Sequence, residues 1–199
     1  MHINIHLLIA KTTKNYIENN LPFKLHSFSL FRGSVKPDFS KDVSHFPQWS
    51  RKYLINEIKT FPYKKRTDNY NWIFAEKLGI ITHFLADYFC YAHSDYYNGN
   101  CLKHFSYELK HILYFNKSAK KMFESKNRKT DFYYSNVLET IDSYIDENYL
   151  NYINGSQSLI NDLVYALDVC TTVCYSIVLK YISVNSSENL KKDLILETA

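Results

Sequence analysis

Two pairs of histidine and acidic residues share a four-residue spacing. His83 and Asp87 lie in the apolar stretch 77–97, which reads as a buried helix, and His104 and Glu108 repeat the spacing further on. Residues four apart project from one face of a helix, so each pair could hold a cation between an imidazole and a carboxylate. Because a buried carboxylate without a partner is costly, the repeated pair predicts a metal site.

Two further histidines accompany these pairs. His93 lies between them and could add a ligand, whereas His111 is expected to have a supporting or surface role. A single histidine on an apolar helix is more often a satisfied core residue than a ligand. It is the repetition of the pair that favours a metal over this simpler interpretation.

The composition predicts that helices position these residues. Only four Gly and four Pro occur among 199 residues, which favours long helices over a many-stranded sheet. Apolar periodicity predicts helices over 3–17, 48–59, 70–92, 102–125, 132–153 and 156–182. We therefore predict an all-α, single-domain bundle of five to seven helices over residues 1–199, with inward-facing ligands. The polar end, 183–199, could be a flexible tail.

The segment 24–42 is expected to be a connection with local turns, because Gly33, Pro37 and Ser40 interrupt it. Pro37 restricts the backbone just before Asp38, so that this carboxylate could be presented rigidly from a loop. Taken alone, the segment is better explained as an ordinary turn.

Charge and cysteine content narrow the possible functions. The net charge of +4 comes without a long basic run, so no specific nucleic-acid binding is expected, while anionic membrane surfaces stay open as partners. No C-x-x-C pair occurs among the four cysteines, which disfavours a disulfide framework.

The start lacks signal-peptide features, and the apolar run 169–179 is too short to span a bilayer. The residues alone predict a cytoplasmic location.

Taken in chain order, the motifs resemble the zinc-dependent phospholipase C family, the bacterial enzymes that include the clostridial alpha-toxins. The likeness covers just over half of the chain and implies a helical fold like that of the phospholipases C and P1 nucleases, in enzymes that are usually secreted. The motifs are H-L-x-I at His6, G-S-x-x-P-D at 33–38, His45, H-x-x-x-D-x-x-x-x-x-H at 83–93 and H-x-x-x-E at 104–108.

The resemblance implies two or three zinc ions. His45, His83 and Asp87 would bind the first, with Asp38 beside it as a ligand or general base. Phe39 follows Asp38 where the family often has an aromatic residue near the choline headgroup, a placement that would suit a cation–π contact.

The remaining motifs would complete the cluster. The resemblance implies that His93, His104 and Glu108 bind the second zinc. His6 and a bridging Asp87 would hold the third, together with the N-terminal amine and carbonyl.

The predicted function is therefore a hydrolase, a zinc-dependent phosphodiesterase that cleaves phospholipid into diacylglycerol and a phosphorylated headgroup. Zinc would polarise the phosphodiester, and Asp38 would orient or deprotonate the attacking water. Two alternatives stay open. One is a P1-like zinc nuclease, which the absence of a basic groove disfavours slightly, and the other is a non-catalytic, zinc-stabilised binding module.

Overall fold

A computed structural model describes residues 1–40, 47–64, 70–125 and 131–197. In these ranges the chain forms helices and no strand, which confirms the all-α prediction. Nine α-helices are described: α1 Ile3–Asn20, α2 Ser27–Val35, α3 Pro47–Lys59, α4 Tyr70–Tyr88, α5 Cys101–Tyr114, α6 Lys120–Ser125, α7 Asp131–Val137, α8 Ile141–Asn154 and α9 Leu159–Glu197.

The helix number exceeds the predicted five to seven because two long predicted helices are interrupted and because α2 forms in a segment that was predicted to be a connection. A π-helical turn, Phe115–Ala119, separates α5 from α6, and residues 138–140 separate α7 from α8. The central helix ends at Tyr88, short of the predicted residue 92, and a 3₁₀ turn, Tyr91–His93, follows it. His93 therefore lies on a different element from His83 and Asp87.

The longest helix, α9, forms the centre of the core. It packs against α1, α4, α5, α6, α7 and α8, and the helix continues through Glu197, so residues 183–197 are helical. Its inner residues are fully buried: Leu163, Ala166, Leu167, Val169, Cys170, Val173, Cys174, Ile177 and Val178.

Length and composition alone would let one helix in the described ranges cross a membrane. This segment of α9, Leu159–Ser186, extends beyond the apolar run 169–179, and 83% of its apolar window is buried inside the fold. The core helix of a globular protein meets the same criteria, so the segment is weak evidence for a membrane span.

The prediction that 24–42 is a connection was wrong, because α2 and a 3₁₀ turn, Lys36–Phe39, occupy most of it. Here glycine serves helix packing instead of a turn. A Cβ at Gly33 would overlap the backbone carbonyl of Glu76 on α4, and one at Gly79 would overlap that of Leu30 on α2. The two glycines let the backbones of α2 and α4 touch, a non-local role that turn propensity does not reveal.

We predict that Gly33→Ala destabilises the protein, although alanine is the better helix former by about 1 kcal/mol. The added methyl group would meet backbone that cannot move independently, and overpacking of this kind costs about 1–3 kcal/mol. Urea unfolding of the metal-free protein measures the change. Gly155→Ala is the control, because its nearest neighbour would be 3.3 Å from the new Cβ. Equal or higher stability of Gly33→Ala would contradict the close crossing.

Candidate metal centre

Seven of the eight predicted metal ligands lie in the described residues, and all seven meet at one place. The eighth, His45, lies outside the described residues. Five parts of the fold contribute the seven side chains: His6 from α1, Asp38 from the turn after α2, His83 and Asp87 from α4, His93 from the turn after α4, and His104 and Glu108 from α5.

The Asp87 carboxylate occupies the middle of this group. Its Oδ1 lies 3.3 Å from Nε2 of His6, and its Oδ2 lies 3.3 Å from Nε2 of His83. The same Oδ2 is 3.7 Å from Nδ1 of His93. One buried carboxylate thus faces three imidazoles from three elements, which is an arrangement that suits the predicted bridging role.

The second His/acid pair lies beside this carboxylate. Glu108 Oε1 is 2.7 Å from Nε2 of His93 and 3.0 Å from Nε2 of His104. The four-residue step from His104 to Glu108 on α5 places both on one face, as the spacing predicts. His93 therefore lies between the two carboxylates and joins the halves of the centre.

Asp38 reaches the centre from its solvent side. Its Oδ1 is 3.9 Å from Nε2 of His83, and its side chain is 23% exposed. Phe39, the predicted headgroup contact, is 74% exposed and adjoins Asp38 in the same 3₁₀ turn. The carboxylate and the aromatic ring are both accessible, whereas His83 is fully buried.

The G-S-x-x-P-D motif also orients one of the imidazoles. Nδ1 of His83 donates a hydrogen bond to the backbone carbonyl of Ser34, at 3.0 Å. A histidine that donates from one ring nitrogen keeps the other as a lone-pair donor for a metal. Ser34 thereby directs Nε2 of His83 towards Asp87, while the adjacent Gly33 brings the two helices close enough for this contact.

The α-amino group of Met1 enters the same centre. It contacts Asp87 Oδ1 and lies 3.1 Å from Nε2 of His93 and 3.2 Å from Oε1 of Glu108. Burial lowers the pKa of this amine, but Asp87 and the neighbouring anionic groups raise it more, to about 11. A positive charge is therefore stable at the point where the acceptor groups converge.

Four of these side chains have the protonation states that metal binding requires. Burial and the neighbouring His83 lower the pKa of His6 to about 3, and burial also lowers that of His93. Burial raises the pKa of Asp87 and of Glu108, but the surrounding imidazoles and the Met1 ammonium hold both below their usual range. Neutral imidazoles and ionised carboxylates are the forms that bind a cation.

The residues present fit zinc. Nδ1 of the fully buried His6 has no hydrogen-bond partner among the described residues, and its Nε2 faces the Asp87 carboxylate at 3.3 Å. Such an unsatisfied group costs about 1–3 kcal/mol, and a bound cation would remove that cost. Imidazole nitrogens and carboxylate oxygens are zinc ligands, and the buried Asp87 with the partly buried Glu108 needs more compensating charge than one ammonium provides.

The sequence analysis missed a buried anchor next to the centre. Asp162 of α9 accepts hydrogen bonds from the hydroxyl groups of Tyr107 (2.9 Å) and Tyr152 (2.8 Å) and from the backbone N–H of Tyr91 (3.2 Å). It also pairs with His111, at 3.0 Å. His111 and Tyr107 lie on α5, so Asp162 holds the helix that carries His104 and Glu108.

The same anchor explains where α4 ends. In a continuing helix the N–H of Tyr91 would bond to the carbonyl of Asp87, but that carbonyl accepts from Cys90 at 3.1 Å. Tyr91 donates to Asp162 instead. Because Asp162 lies 71 residues further along the chain, no local pattern indicates this helix end.

A helical fold that gathers histidine and carboxylate donors around a buried aspartate is typical of a metal-binding protein. The chain belongs to the zinc-dependent phospholipase C family, whose model matches residues 2–158. The match includes each of the donors described above and ends just before α9. Comparisons with curated proteins and with solved structures give no match.

We predict that Asp87→Asn removes bound zinc while leaving the helical content unchanged. The amide keeps the volume but loses the charge that faces three imidazoles. We expect zinc affinity to fall by more than about 100-fold, the upper range for loss of a group that only supports a ligand. Elemental analysis after dialysis measures zinc, and far-UV circular dichroism measures helix.

Asp146→Asn is the matched control for this substitution. Asp146 forms an exposed ion pair with Arg51, away from the centre, so its loss should leave zinc content unaltered. Normal zinc content in Asp87→Asn would mean that the carboxylate has a purely structural role.

Proposed function

We propose that the chain is a zinc-dependent phosphodiesterase that hydrolyses phospholipid to diacylglycerol and a phosphorylated headgroup. The observation that carries the proposal is the convergence of six metal-capable side chains around the buried Asp87, and one of the six is the accessible Asp38. Membership of the zinc-dependent phospholipase C family supports the same reaction class.

We assign the donors to three ions, as the family resemblance implies. His83 and Asp87, with Asp38 beside them, would hold one zinc, and the prediction for this ion also includes His45. A second zinc would take His93 and Glu108 together with His104. His6 and the other oxygen of Asp87 would hold a third ion, and the distance of 3.3 Å between this oxygen and Nε2 of His6 supports the grouping.

Bound zinc would supply Lewis-acid charge to the phosphate oxygens of the substrate. The side chains of this chain would do the rest. Asp38 would orient the attacking water and accept its proton, because this carboxylate is both accessible and within 3.9 Å of His83. Phe39 would contact a cationic headgroup through its exposed ring, which places the headgroup next to the carboxylate that acts on the water.

The outer face of α5 favours a lipid substrate over a nucleic acid. Four apolar side chains form a stripe along it, at spacings of three and four residues: Leu102 (80% exposed), Phe105 (55%), Leu109 (37%) and Leu113 (65%). We call this stripe the apolar ridge. Contiguous exposed apolar surface of this kind marks interaction sites, and a nucleic-acid backbone would gain nothing from it.

The charges beside the apolar ridge suit a membrane surface. Lys103 and Lys110 are exposed on α5, and they line an open pocket of about 350 Å³ next to Leu102. The one acidic residue of α5, Glu108, faces inward to the metal centre. An apolar stripe flanked by lysines is typical of helices that lie in the membrane interface, and the lysines would attract anionic headgroups.

We predict that Asp38→Asn lowers headgroup release from short-chain phosphatidylcholine by about 10²–10⁴-fold, the usual contribution of a general base. The release of phosphorylated headgroup is measured on zinc-loaded protein, and zinc content is measured in parallel. Normal release by the variant would exclude Asp38 from the reaction.

Assays of headgroup release and nucleic-acid degradation on the unmodified protein distinguish the phosphodiesterase, the nuclease and the binding module. Degradation of single-stranded DNA or RNA without headgroup release would identify a nuclease and overturn the proposal. Absence of both activities at full zinc loading would identify a binding module.

We predict that the double variant Leu102→Ser/Phe105→Ser binds phospholipid vesicles more than about tenfold more weakly, because each side chain contributes up to about 1.5–3 kcal/mol when buried. Vesicles containing anionic lipid are sedimented with the protein. Hydrolysis of dispersed short-chain lipid should change little. Leu150→Ser is the control, since Leu150 is 60% exposed but lies on α8. Unchanged vesicle binding would contradict the role of the ridge.

A further inference from the structure

Cys90 lies at the junction between α4 and the metal centre. It precedes the 3₁₀ turn that carries His93, and its side chain is fully buried. Its sulfur and one ligand atom each of His93 and Glu108 lie within 4.8 Å of one another. A metal-capable sulfur is therefore within reach of the second His/acid group, and the proposed function assigns it no role.

On the other side of Cys90, the Asp162 carboxylate already has hydrogen-bond partners. There its sulfur approaches His111 and Asp162 to within the same distance. The Asp162 carboxylate, however, accepts from two tyrosine hydroxyls and a backbone N–H. Four polar contacts, including His111, neutralise the cost of burying this carboxylate without a metal. Glu108 and His93 belong instead to a group that already requires a cation.

We infer that Cys90, as a thiolate, is a ligand of the zinc bound by His93 and Glu108. The inference rests on the proposed function, because it requires the zinc centre. Formation of the bond is balanced: the S–H bond breaks, the proton leaves to solvent, and the sulfur lone pair binds the ion, as is usual when a thiol binds zinc.

The sulfur would change what this ion can do. With His104, the group would offer four protein donors, which is the coordination number of closed structural zinc sites. Water and substrate would then approach on the side of His83, where the accessible Asp38 lies. The second ion would hold the turn after α4 against α5, and the first would act on the substrate.

Zinc X-ray absorption on the unmodified, zinc-loaded protein tests the inference directly. We expect a sulfur scatterer at about 2.3 Å in addition to nitrogen and oxygen at about 2.0–2.2 Å. Zinc bound with nitrogen and oxygen scatterers alone would overturn the role of Cys90 and leave the proposed zinc centre intact. Failure to bind zinc at all would overturn both.

Cobalt substitution identifies the cysteine. The cobalt-loaded protein should show a near-ultraviolet thiolate-to-metal charge-transfer band, which Cys90→Ser should abolish. Cys101→Ser is the matched control because Cys101 is exposed at the start of α5, and this variant should keep the band. A band that survives Cys90→Ser, or that disappears in Cys101→Ser, would overturn the inference.

A second pair of variants distinguishes the two possible metal positions next to Cys90. One position is formed with His93 and Glu108, and the other with His111 and Asp162. His93→Gln should remove the band, and His111→Gln should retain it, with helical content checked in both. Loss of the band in His111→Gln alone would place the metal on the Asp162 side and overturn the assignment.

Discussion

The structure depends on one buried carboxylate, that of Asp87, inside an apolar helical core. A charge in this position is tolerated only when neighbouring groups stabilise it. Imidazoles from α1, α4 and the turn after α4 face its two oxygens, so these elements must meet at one point. The Met1 ammonium adds positive charge there. The centre is thus built to hold cations before any metal is considered.

Two further contacts position the helices that carry the groups around Asp87. Gly33 allows α2 to touch the backbone of α4, which brings the carbonyl of Ser34 to Nδ1 of His83 and sets the ring direction. Asp162 holds α5 from the opposite side through Tyr107 and His111. Residues 2–158 match the family model, so this second anchor comes from α9, beyond the matched part of the chain.

Sequence patterns predicted the parts of the centre that are local. The steps from His83 to Asp87 and from His104 to Glu108 follow from helical periodicity, and the structure places each pair on one helix face. The resemblance supplied the partners from other elements. The prediction for segment 24–42 was wrong, and Asp162 was missed, for the same reason. Gly33 contacts α4, and Asp162 contacts α5 and α8. Periodicity cannot detect these contacts because the partners lie far apart in the sequence.

The geometry of α5 links the proposed chemistry to the proposed lipid surface. Successive residues turn by about 100° around a helix, so Phe105 and Glu108 differ in direction by only about 60°. The ring of Phe105 also contacts His2, next to the Met1 amine in the centre. The apolar ridge therefore borders the metal ligands instead of lying on the opposite side of the fold. If the ridge lies in a membrane interface, α5 brings His104 and Glu108 to the depth of the headgroups, where the phosphodiester of a phospholipid is found.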